Sequence, residues 1–176
     1  DPLEREISAE NFNQKIIDND IKIVAITNHN YFDSNQYDEI VTLAADNYMV
    51  WPGIEIDIVD NGSKGHVIVI SNPEKVEEFK KVINSITQNI NFNTFSMNIN
   101  ELYTHFSQLD VLFAFHYNKK PELDIEIIKS FENMIQDKHR VFYEATNYRK
   151  MGILTNKGFK SILGSDVLDW NKYNEF

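Results

Sequence analysis

At 176 residues the chain has the length of one domain with a sizeable core, and the lack of cysteine excludes disulfides and thiolate chemistry. A formal charge of −10 and a pI near 4.9 disfavour a broad polyanion-binding surface, since phosphates would meet net repulsion except where a cation reverses the sign locally. A hydrophobic fraction of 42% excludes disorder, and no apolar run is long enough to span a bilayer, so a cytoplasmic protein with no membrane partner is expected.

The opening Asp1-Pro2-Leu3-Glu4-Arg5-Glu6 is no signal peptide. There is no initiating methionine and the first strong strand begins only near residue 21, so the chain is expected to be a fragment of a longer protein. Ser8-Ala9-Glu10-Asn11 caps a predicted helix running to about Asp18, with Phe12, Ile16 and Ile17 on one face. A buried strand over residues 21–27 and a helix over 37–47 follow. Residues 48–58 hold a strand broken by Pro52-Gly53, then a turn at Asp60-Asn61-Gly62-Ser63 and a strand at 66–70. Pro73 opens a helix to about Ile86, and the Asn-rich stretch 84–100 reads as a loop between helices. Helices at 99–108 and 122–136 alternate with strands at 111–115 and 141–145, and a last strand covers 161–163. This alternation predicts an α/β fold with a mostly parallel sheet, either a barrel or doubly wound, with its site at the carboxyl ends of the strands.

Ligand-type residues recur at those ends. Ile23-Val24-Ala25-Ile26 runs into Thr27-Asn28-His29-Asn30, and Val111 to Phe115 runs into His116. Phe142-Tyr143 runs into Glu144, and Ile162-Leu163 runs through Gly164-Ser165 into Asp166. Glu55 follows Pro52-Gly53-Ile54, and His66 opens the next strand. Imidazole and carboxylate are the usual ligands of Zn, Mn and Fe, and paired ions suit phosphoester chemistry. Taken singly, a His after a strand is more often a hydrogen-bonded structural residue, and Gly-Ser-Asp is commonly a turn or cap. Repetition at strand ends is what favours a metal. His105, inside an amphipathic segment, and His139, between Lys138 and Arg140, are left out of the site.

In order, Ile26-Thr27-Asn28-His29-Asn30, Pro52-Gly53-Ile54-Glu55-Ile56, Gly65-His66-Val67-Ile68-Val69-Ile70, Ala114-Phe115-His116 and Gly164-Ser165-Asp166 resemble successive motifs of the PHP (polymerase and histidinol phosphatase) superfamily, over about residues 20–170. The resemblance implies a single domain over 1–176, folded as a distorted (βα)7 TIM-like barrel incomplete at its N-terminus. It implies a metal-dependent phosphoesterase, phosphatase or nuclease in type, that uses metal-bound hydroxide on a phosphate ester or nucleic-acid end. One ion is then held by Glu55, His66 and His116. A second shares Glu55 with Asp166 and needs a His-x-His pair that this chain lacks. A third uses His29 with a later His whose position holds Leu168, so two divalent ions are expected in the full-length protein, the second completed by upstream residues, and the third site is expected to be lost. His29, Glu55 and Asp166 take the catalytic roles, with His29 as remnant ligand, proton donor or phosphate contact. Asn28 also departs from the family, replacing the usual Asp. Some PHP domains precede an ATPase module, which makes an ATPase domain or subunit an expected partner, although this chain has no Gly-rich Lys-Ser/Thr phosphate loop.

The competing reading is a degenerate, non-catalytic PHP module serving as scaffold or regulatory domain. Leu168 and Asn28 favour it, and the joint presence of Glu55, His66 and His116 opposes it. A sugar-cleaving barrel using the carboxylates as acid and base fits the histidines less well.

Overall fold

Polar side chains fix where the helices begin. Asp33 accepts hydrogen bonds from the amides of Asn35 and Gln36, Asn98 and Glu101 form a reciprocal capping box, and Asp124 accepts from the amide of Glu126. The computed structural model describes residues 2–87, 94–117 and 122–163, with side chains from residue 9 onward. In chain order the main elements are α1 (Pro2–Asp18), β1 (Ile23–His29), α2 (Ser34–Ala44), β2 (Met49–Asp60), β3 (Ser63–Ser71) and α3 (Val76–Thr87), followed by α4 (Ile99–Phe106), β4 (Val111–His116), α5 (Ile125–Met134), β5 (Val141–Ala145), α6 (Tyr148–Asn156) and β6 (Ser161–Leu163). Helix α1 starts well before the expected residue 8, and α6 was not expected at all. No described helix is long and apolar enough to cross a membrane.

The strands form one sheet in sequence order, β1-β2-β3-β4-β5-β6. β1 and β2 are parallel, as are β4, β5 and β6, but β3 is antiparallel to both of its neighbours. The sheet is therefore mixed and curls into a half-barrel, which corrects the expectation of a (βα)7 barrel. The physical reason lies in the connection between β2 and β3. Asn61 and Gly62 have φ of 47° and 79° and make a two-residue turn, with Asp60 paired to Ser63. Positive φ at both central residues is the type I′ hairpin pattern, and so short a loop can only join antiparallel strands.

β2 is continuous through Pro52-Gly53, not broken there. Pro52 pairs with Ile26 of β1, and the ladder with β3 begins one residue later, at Gly53. A Cβ at Gly53 would lie 2.8 Å from Thr27 Cγ2 and 2.9 Å from the Val69 carbonyl oxygen, so glycine permits the close approach of three strands.

Alternation divides the sheet into two faces. Ile54, Ile56 and Ile58 of β2, Val67 and Val69 of β3, Phe113 and Phe115 of β4, and Tyr143 of β5 are buried in the main core. There Phe131 of α5 meets Phe113 and Phe115 edge-on at 4.9 and 5.2 Å, and Phe79 of α3 meets Phe32 at 5.4 Å. The intervening positions, among them Glu55, Asp57, His66, His116 and Glu144, belong to the opposite face.

Candidate metal centre

β1, β2, β4 and β5 share one direction, and each carries a ligand-type residue toward its carboxyl end. His29 of β1 is in register with Glu55 of β2, and His116 of β4 with Glu144 of β5. The reversed β3 begins at that same end, which sets its His66 opposite Asp57 of β2. The hairpin is thus what brings a residue from the start of one strand beside residues near the end of its neighbours.

The donor atoms form a continuous row. His29 Nε2 lies 2.8 Å from Asp57 Oδ1, and His66 Nδ1 lies 2.7 Å from the same oxygen. His66 Nδ1 is also 3.5 Å from Glu55 Oε1, which is 3.7 Å from His116 Nε2. His116 Nε2 is in turn 2.6 Å from Glu144 Oε2. Burial deepens along the row, from a His29 side chain 50% exposed to a His116 side chain 2% exposed.

Glu55, His66 and His116 each offer a ligand atom, and the three atoms lie within 4.8 Å of one another. Metal–ligand bonds of ~2.0–2.1 Å at tetrahedral angles set donors ~3.3–3.4 Å apart. The observed 3.5 and 3.7 Å are close to that spacing and too long for hydrogen bonds. His66 Nδ1, His116 Nδ1 and Glu144 Oε2 are buried and make no hydrogen bond among the described residues. The short contacts of His66 with Asp57 and of Glu144 with His116 are ion-pair distances off the line of a hydrogen bond. A buried polar atom left without one costs ~1–3 kcal/mol, and His66 Nδ1, one of these, converges with His116 Nε2 on Glu55 Oε1, a set of two imidazoles and a carboxylate that fits a divalent cation.

Electrostatics agree. Burial holds His66 below the ordinary histidine range; the carboxylates of Asp57 and Glu55 oppose this, and the His116 and His29 rings add to it. A neutral imidazole keeps the lone pair that a metal needs. Burial works against ionisation of Asp57, but hydrogen bonds from His29 and Asn30 and the charges of His29 and His66 outweigh it and hold the carboxyl below its usual range.

Asn30 holds Asp57 in place. Fully buried, it donates from Nδ2 to Asp57 Oδ2 at 3.1 Å and to the Phe95 carbonyl at 3.1 Å, and its Oδ1 accepts from the Asp57 amide at 3.0 Å. Its own amide donates to the Glu55 carbonyl at 2.6 Å. One residue thereby ties the end of β1 to both acidic positions of β2, through its backbone amide at Glu55 and its side chain at Asp57.

Of the residues singled out from sequence, Glu55, His66 and His116 come together, and His29 joins the row through Asp57. Asp166, with Gly164, Ser165 and Leu168, lies outside the described residues. Asn28 points away from the row and donates to Gln36 Oε1 at 2.8 Å. His105 and His139 belong to neither candidate metal group among the described residues, and His139 Nδ1 instead meets Lys160 Nζ at 3.0 Å. Sequence reading missed Asp57 altogether and left Glu144 and Asn30 without a role. A groove of about 760 Å³ runs along β1 beside α1 and α2, but none of the row's side chains lines it.

No protein-family model matches the chain, and no curated protein matches it. Among solved structures it is similar in fold to a Bifidobacterium adolescentis protein assigned, by inference, as a metal-dependent phosphoesterase, with a TM-score of 0.62 at 11% identity, over 90% of this chain and 81% of that one.

Proposed function

We propose that this chain is a metal-dependent phosphoesterase domain of the PHP type, acting on a phosphate mono- or diester. The observation that carries this reading is the convergence of Glu55, His66 and His116, which supply two imidazole nitrogens and one carboxylate at metal-ligand spacing. The fold likeness to a protein assigned as a metal-dependent phosphoesterase supports it. A divalent cation held there supplies positive charge to the phosphate oxygens and acidifies water beside it. The chain's own residues do the rest. His116 and Glu144, buried at the inner end, give the site a rigid floor. His29, half exposed at the outer end, keeps Nε2 on Asp57 and leaves Nδ1 to contact a phosphate oxygen or pass a proton to the departing alkoxide. Its exposure supports an approach of the substrate over β1 and β2.

The test is turnover of p-nitrophenyl phosphate, bis(p-nitrophenyl) phosphate and a short oligonucleotide with Mn or Zn added. Metal-dependent turnover is expected, falling more than ~100-fold in His116→Ala and in the nearly isosteric Glu55→Gln, beyond the loss typical of outer-shell changes. Cation binding without turnover on any of these esters gives way to the scaffold reading.

A further inference from the structure

Asp57 has no place in the metal set described so far, yet its Oδ1 has two imidazole nitrogens within 2.8 Å, and only the contact with His29 has hydrogen-bond geometry. His29, Asp57 and His66 each offer a ligand atom, and these three atoms also lie within 4.8 Å of one another. We infer that Asp57 and His29, with His66 between them and the first site, form a second cation position on its solvent-facing side. The inference rests on the metal reading above and extends it.

Three observations carry it. The first is chemical: two imidazoles and a carboxylate on adjacent strands are a common donor set for a divalent ion. The second is rigidity. Asn30 holds Asp57 Oδ2 and the Asp57 amide, so Oδ1 stays aimed at the two rings. The third is room to adapt. Admitting an ion requires the 2.7 and 2.8 Å contacts to open by ~0.5 Å toward the spacing of metal ligands. His29 is half exposed, so its ring can make that movement without disturbing the core.

His66 Nδ1 has one lone pair and lies between Asp57 and Glu55, so it serves one ion at a time. The inner ion retains Glu55 and His116, and the outer ion retains His29 and Asp57. The outer ion has few protein ligands and open positions for water or a phosphate oxygen, so it binds the more weakly. Asp57 here provides a carboxylate to His29, a role that Leu168 could not fill.

Stoichiometry and affinity for Co and Mn decide the matter, read by calorimetry, by metal content after gel filtration and by the visible absorption of bound Co. Wild type is expected to bind a tighter and a weaker ion. Asp57→Asn and His29→Ala should each weaken the outer ion at least tenfold, so that one ion fewer survives filtration, while the tighter ion stays. His29→Ala guards against misfolding as the cause, because that side chain is half exposed. A wild type that binds a single ion, or variants that keep the wild-type count and affinities, would overturn the second position and leave the first intact. A wild type that binds no cation would overturn both.

Discussion

Asn30 sits in the left-handed region at φ 53°, a conformation that asparagine tolerates better than most residues, and is fully buried. Its side chain satisfies the Asp57 amide and Oδ2 together, so its loss should unsettle the outer half of the row before the inner half. Asn30→Ala is expected to cost ~2–4 kcal/mol in chemical denaturation, from orphaned polar groups and an alanine forced to positive φ. Asn30→Gly loses the same bonds without the backbone strain and should be less damaging by ~1 kcal/mol. Equal losses in the two variants would show that the strain contributes nothing. At this scale the sequence was informative in part. His29 and His116 could be found because each ends an apolar strand, and Glu55 and His66 because each stands as a lone ligand-type residue beside an apolar run. Asp57 could have been found too, since residues two apart in a strand share a face and Glu55 was already assigned to the site. A motif that stops at Ile56 hides the alternation that continues to Asp57. The role of Asn30 depends on β1 and β2 lying in one particular register, which no local pattern specifies.

The hairpin between β2 and β3 sets the register that puts Asp57 opposite His66. Its Asn-Gly turn was visible from sequence, as were both flanking apolar runs. What went undrawn was the consequence: a two-residue connection forces an antiparallel pair, and this makes the sheet mixed. Pro52-Gly53 suggests a break, yet at Pro52 the strand pairs only with β1, so the amide that proline lacks costs no bond to β3. Helix α6 escaped notice because its signals are mutually opposed. Asn147 caps it by accepting from the Lys150 amide and Gly158 follows its end at φ 81°, but Gly152 in its interior lowers helical propensity. The turn itself is testable. A Cβ at Gly62 would meet nothing within 4 Å, so Gly62→Ala is a purely conformational change at φ 79°. It should destabilise the fold by ~1–2 kcal/mol, measured by urea denaturation, while leaving cation stoichiometry unchanged. A shift in stoichiometry without loss of stability would mean that the turn shapes the site in some other way.

Across the whole molecule, the row couples stability to protons and to cations in the same direction. Burial foremost, with the His116 and His29 charges and against Asp57 and Glu55, keeps His66 below its ordinary 6.5 in the folded chain. The unfolded chain therefore takes up a proton there that the folded chain resists. The stabilising contribution is complete above pH 6.5 and is lost as the pH falls through the folded value. Asp57, also lowered, acts in the same sense further down, below its ordinary 3.8. The formal charge of −10 works the other way, since protonation on mild acidification relieves repulsion within the chain. Without metal, melting temperature should therefore fall only modestly from pH 7.5 to 5.5, and His66→Gln should flatten or invert the slope. Cations bind the folded state, and at 100 times the dissociation constant this adds ~2.7 kcal/mol. Imidazoles that must be deprotonated to bind make that increment shrink with acid. Saturating Mn or Zn should thus raise the melting temperature by several degrees at pH 7.5 and by much less at pH 5.5, and chelation should reverse the gain. An increment equal at both pH values would mean that no ligand gives up a proton on binding between pH 5.5 and 7.5, and would contradict the coupling of His66 and His116 protonation to the cation.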